Sequence, residues 1–92
     1  MIEVSQLSGG EILSFRVVIR DTDGHTQHEV TLRESSWQRL GGGAGATDFV
    51  DAVFRFLLDR EPKEAILGRF DVSVIPRYFP DFEQRIADYL RA

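Results

Sequence analysis

Asp21, Asp23, His25 and His28 crowd into eight residues, the nearest approach in this chain to a metal cluster. An EF-hand loop needs a bidentate acid at its twelfth position, and counted from Asp21 that position is Leu32. On a strand, His25 and His28 point to opposite faces. The spacing therefore predicts a solvated turn with one histidine at the edge of a core, and no metal site. A nucleophilic triad cannot be assembled either, because two histidines at one turn and scattered Ser and Asp residues fix no geometry.

The run Gly41-Gly42-Gly43-Ala44-Gly45-Ala46-Thr47 precedes a helix start, where backbone N–H groups can hold a phosphate. A P-loop requires Lys followed by Ser or Thr after its last Gly, and a dinucleotide fingerprint requires a strand entering the loop. Here a short helix enters and Asp48 occupies the anion's place, so the segment reads as a flexible connector. Asp59-Arg60-Glu61-Pro62-Lys63-Glu64 is a dense charge run at a helix junction. Paired carboxylates can perform acid–base work when a cleft perturbs them, but beside Arg60 and Lys63 these read as exposed ion-pair partners. No residue is assigned a catalytic, cofactor-binding or metal-ligating role.

Two surfaces remain as candidates for binding. Arg16, Arg20 and Arg33 form a basic strip on the outer face of a sheet, suited to phosphate contacts, although Glu3 and Glu29 are interleaved with them. Arg77-Tyr78-Phe79-Pro80, with Phe82 close behind, carries the side chains enriched at interface centres. The alternative for these rings is to cap the chain's own core.

The elements that position these residues follow from composition and periodicity. A chain of 92 residues forms one domain, 1–92. It has no Cys, which excludes disulfides, thiolate zinc sites and thiol nucleophiles and suits a reducing compartment. No basic leader precedes an apolar stretch at Met1-Ile2-Glu3-Val4, and no apolar run approaches the ~20 residues of a membrane span. A cytoplasmic protein without membrane contact is expected. A net charge of −4 offers no global attraction to a polyanion, so nucleic acid is the lesser partner.

Leu13 to Leu32 reads as a hairpin about Asp23-Gly24, since an Asp-Gly pair suits a type I′ turn. That loop sets Phe15 opposite Leu32, Val17 opposite Val30 and Ile19 opposite His28; a four-residue loop, Asp21 to Gly24, keeps the same parity. Gly9-Gly10 turns an earlier strand back, setting Val4 opposite Phe15, Ile2 opposite Val17 and Glu3 across from Arg16. Ser35 and Gln38 have capping-box spacing around a short helix bearing Trp37 and Leu40 that stops at Gly41.

A central helix follows over about 48–60, capped by Thr47 and supported by an Asp51–Arg55 pair. Phe49, Val50, Ala52, Val53, Phe54, Phe56, Leu57 and Leu58 leave it apolar on nearly every side, so it requires cover from a sheet and from something else. Pro62 opens another helix, with Ile66, Leu67 and Phe70 as core contacts. Residues 71–75 fit either a strand, through Val72 and Val74, or a short helix capped by Ser73 with Pro76 in its first turn; the helix is favoured. Asp81 and Gln84 introduce a final helix with Phe82, Ile86, Tyr89 and Leu90 on one face.

The stretch Phe56-Leu57-Leu58-Asp59-Arg60-Glu61-Pro62-Lys63-Glu64-Ala65-Ile66-Leu67, then Phe70-Asp71 and Arg77-Tyr78-Phe79-Pro80, together with His28-Glu29-Val30-Thr31-Leu32, resembles a group of short uncharacterised bacterial proteins. The resemblance implies no activity and no site residue.

The sequence thus predicts an α+β domain: a three-stranded antiparallel meander followed by three to five helices packed on one face. Its function reads as a non-enzymatic protein–protein interaction module, homodimeric, with an interface built from the central helix, Trp37, Tyr78, Phe79 and Phe82. The alternative is a small nucleic-acid-binding protein using Arg16, Arg20 and Arg33.

Overall fold

A computed structural model describes residues 1–91. Strands β2 (Ile12–Asp21) and β3 (Gly24–Arg33) form the expected hairpin. Alternation places Leu13, Phe15, Val17 and Ile19 on one face with His28, Val30 and Leu32, and all of these are buried. The register is the one given by the alternative four-residue loop, with Arg20 opposite His25, and differs by two residues from that of the Asp23-Gly24 loop: Phe15 lies opposite Val30, Val17 opposite His28 and Ile19 opposite Thr26.

The loop is therefore Thr22-Asp23, because Asp21 pairs with Gly24. Local chemistry explains the shift. Asp21 Oδ1 accepts a hydrogen bond from Asp23 N at 2.8 Å, folding the turn over its first residue. Among the described residues none other than glycine has positive φ, which excludes a type I′ turn at Thr22-Asp23, and Gly24 leaves the turn at φ 124°.

Strand β1 (Ile2–Ser8) pairs antiparallel with β2, setting Ile2 opposite Ile19 and Val4 opposite Val17. The register slips between Gln6 and Ser8, a bulge that leaves Leu7 exposed. Because the turn about Gly9-Gly10 is wider than two residues, so that Ser8 pairs with Ser14, Glu3 faces Val18 rather than Arg16, and its carboxylate lies 3.5 Å from Arg20 Nε.

The meander is not the whole sheet. A short strand β4 (Arg69–Asp71) joins β3 in parallel, with Phe70 opposite Val30, giving a mixed sheet of order β1-β2-β3-β4. Phe70 brings its ring within 5.9 Å of Phe54. The ambiguous stretch divides after Asp71: the strand ends there, a 3₁₀ turn covers Val72–Val74, and helix α3 (Ile75–Tyr78) follows with Pro76 in its first turn. The cap is Asp71 rather than Ser73, since the Asp71 carboxylate accepts from Ser73 N at 3.0 Å.

Helix α1 (Glu34–Leu40) starts directly after β3, so Ser35 lies within it and does not cap it. Helix α2 (Ala46–Leu58) starts after Gly45, which displaces Thr47 from the capping position into the first turn. Asp51 and Arg55 pair on it at 2.9 Å. Between α1 and α2 the connector folds over Trp37, whose Nε1 donates to Ala44 O at 2.8 Å. Pro62 opens only a 3₁₀ turn, Lys63–Ala65, and the last element is α4 (Phe82–Leu90).

Phe49, Val50, Ala52, Val53, Phe54 and Phe56 of α2 are fully buried. They lie in one core with Phe15, Val17, Val30 and Leu32 of the sheet and with Phe82 and Ile86 of α4. Phe56 meets the rings of Phe82 at 5.0 Å, Tyr89 at 5.7 Å and Phe79 at 5.9 Å, all edge-on. The Arg60 guanidinium covers the same ring at 3.6 Å. The second cover of the central helix thus comes from the same chain, through Phe82 and Ile86 of α4.

Candidate functional site

A groove of about 350 Å³ opens where the end of α2 meets the segment before β4. Its base is Leu57, the last apolar contact of α2, with Phe79 beside it. One wall is Ile66, Leu67 and Phe70; the other is Val74, Ile75 and Tyr78. Glu61 supplies the single charged side chain of the lining. Hydrophobic side chains usually close such a space, but here Leu67 and Tyr78 remain 51% and 68% exposed.

The chain reaches this geometry through two buried polar tethers. Lys63 is only 4% exposed, and its Nζ reaches Asp21 Oδ1 at 2.8 Å and Glu64 Oε2 at 2.6 Å. Hydrogen bonds from Asp21 and Glu64 hold the ammonium above its ordinary value. The same bonds, from the other side, hold the Asp21 and Glu64 carboxyls below theirs. The second tether is His28, buried under Leu67. A carbonyl can only accept, so His28 Nδ1 carries a proton and donates to Leu67 O at 2.7 Å, leaving Nε2 facing the Thr26 hydroxyl at 2.8 Å. His28 also packs on Phe54, with ring centroids 5.5 Å apart.

These contacts correct the reading of Asp59 to Glu64 as an exposed charge run. Lys63 lies inside, and Arg60 spans Phe56 O, the Tyr89 hydroxyl and Asp81 Oδ2. Asp81, which spacing marked as a cap, turns its side chain to Arg60 and makes no side-chain cap bond to α4. Around the hairpin turn, Asp21, Asp23 and His25 are exposed and His28 is buried. Among the described residues no group of three or more His, Cys, Asp or Glu side chains converges on a point that could hold a metal ion.

The four candidate interface residues part company. Tyr78 and Phe79 share the groove. Phe82 is 1% exposed and supports it from below through Phe56. Trp37 is half-buried over the connector and outside the groove lining. Close by, Gly41 leaves no space for a side chain, since a Cβ there would lie 2.6 Å from Trp37 O.

On the outer sheet face, Arg20 is engaged by Glu3 and Arg69 by Glu29 at 3.1 Å. Arg33 borders a shallow hollow that Glu11 and Glu34 also line. Arg16 lies across from Ser5 and Glu29. The sequence does not single out the other groove residues for a binding surface: Leu57, Ile66, Leu67 and Phe70 are expected in the core, which holds for the buried Leu57 and Ile66 but not for Leu67, while Glu61, Ala65, Val74 and Ile75 have no assigned role. Only the unusual exposure of Leu67 marks them, and exposure is a property of the folded chain.

No protein-family model, curated protein or solved structure matches this chain. Among the described residues no helix is long and apolar enough to cross a membrane.

Proposed function

We propose that this chain is a non-enzymatic protein–protein interaction module, acting as a homodimer in the cytoplasm, with the groove at Tyr78 and Phe79 as its contact surface. The observation that carries the reading is the pair of exposed apolar side chains, Tyr78 and Leu67, standing at the mouth of an apolar groove. Leaving such side chains in water forgoes roughly 25 cal/mol per Å² of apolar surface, and a docked partner recovers it. Glu61 and Tyr78 are the only titratable side chains in the lining.

Light scattering coupled to size exclusion tests the proposal. A mass of twice the 10.5 kDa chain at high micromolar concentration is expected, falling to a single chain in Tyr78→Ala. A single-chain mass for the unaltered protein at every concentration overturns the homodimer.

A further inference from the structure

We propose that the groove is completed by a second copy of this chain, docked about a two-fold axis so that Tyr78 of each copy enters the other's groove and Arg77 of each meets the other's Glu61. The inference rests on the homodimer reading and names the residues that make it.

Its starting point is the charge left over at the groove. Along the adjoining chain, Asp59 accepts from Tyr89, Arg60 pairs with Asp81, and Lys63 pairs with Glu64 and Asp21. Among the described residues Glu61 and Arg77 make no ion pair and no side-chain hydrogen bond. One lines the groove and the other adjoins Tyr78 on the exposed side of α3. They are opposite in sign.

A two-fold interface obliges every contact to occur twice: where a residue i meets j, j meets i across the axis. A patch carrying an unpaired base next to its protruding ring, and an unpaired acid inside its recess, meets that condition with itself. A partner of unrelated sequence would have to supply both charges independently. Tyr and Arg are also the side chains that dominate interface energetics, and a phenol suits the recess because its ring buries while its hydroxyl stays at the wet edge. The carbonyl end of α2 lies beside Leu57 and Glu61 and favours a guanidinium further.

Two aromatic anchors and two ion pairs per dimer make a small contact, toward the low end of specific interfaces at about 1,200 Å² in total. Association is therefore expected at high micromolar concentration and weakens with salt.

Sedimentation equilibrium on the full chain tests the proposal with Glu61→Arg and Arg77→Glu, each alone and then mixed in equal amounts. Each variant alone brings like charges together twice and is expected to weaken self-association about tenfold or more. The mixture restores opposite charges at both contacts and is expected to associate as the unaltered protein does. Tyr78→Ala, at an exposed position that does not support the core, is expected to abolish association with an unchanged far-UV spectrum. If the charge variants dimerise normally, or the mixture fails to recover, this pairing is overturned while the homodimer stands on another face. If the unaltered chain is monomeric throughout, both readings fall together.

Discussion

Lys63 carries the only primary amine side chain in the molecule, and it sits where the local sequence gives no reason to bury it. Its partner Asp21 stands at the far end of the hairpin in sequence, so a window around Pro62 holds no sign of the contact. Linkage sets the direction of its pH dependence. Asp21 is held below the ordinary carboxyl value of 3.8, so its contribution is present above that value and is lost as pH falls through the folded-state value. Lys63 is held above 10.5, so its contribution is present below that value and is lost as pH rises beyond it. Thermal melts of the unaltered chain and Asp21→Asn should therefore differ by a constant margin across neutral pH, and the two curves should converge as the pH falls below 3.8 and through the lower folded-state value. A margin that persists in acid would show that the pair does not set it.

At the scale of elements, the periodic segments were legible and the short ones were not. The central helix and the three antiparallel strands announce themselves because many apolar side chains repeat at the right period. Register did not, since a shift of two residues keeps Phe15, Val17, Val30 and Leu32 on the same face and leaves alternation unchanged. Strand β4 has a single core-facing side chain, Phe70, and one residue has no period. Capping-box spacing at Ser35 and a cap at Thr47 arose without a matching helix start, because both helices begin earlier. The tight turn between α1 and α2 is testable through its glycine. Gly41→Ala is expected to cost about 1–3 kcal/mol in a urea melt by overpacking, since the new Cβ would meet Trp37 O and the indole at 2.6 and 2.8 Å. Gly68→Ala, with open space at the Cβ position and no positive φ, is expected to be neutral or to stabilise by up to about 1 kcal/mol. Equal losses at both positions would refute the steric argument.

For the molecule as a whole, the sheet covers α2 on one side and α4 covers it on another, so the apolar excess that seemed to demand a partner is met within the chain. The aromatic candidates split for the same reason: composition cannot distinguish Phe82, which closes the core, from Tyr78, which stands clear of it. The open sheet face bears arginines, but acids hold Arg20 and Arg69 and the net charge is −4. Labelled RNA or DNA is accordingly expected to show no salt-dependent retention on the chain; retention that Arg16→Ala/Arg20→Ala removes would revive the nucleic-acid reading. The two tethers of the groove wall have one more consequence. Lys63 ties it to the hairpin turn, and His28 ties it to the middle of β3, so the wall is a span anchored at both ends on one rigid hairpin. Changes at positions 21 and 28 would then register as changes in what the groove accepts, although neither side chain lines it.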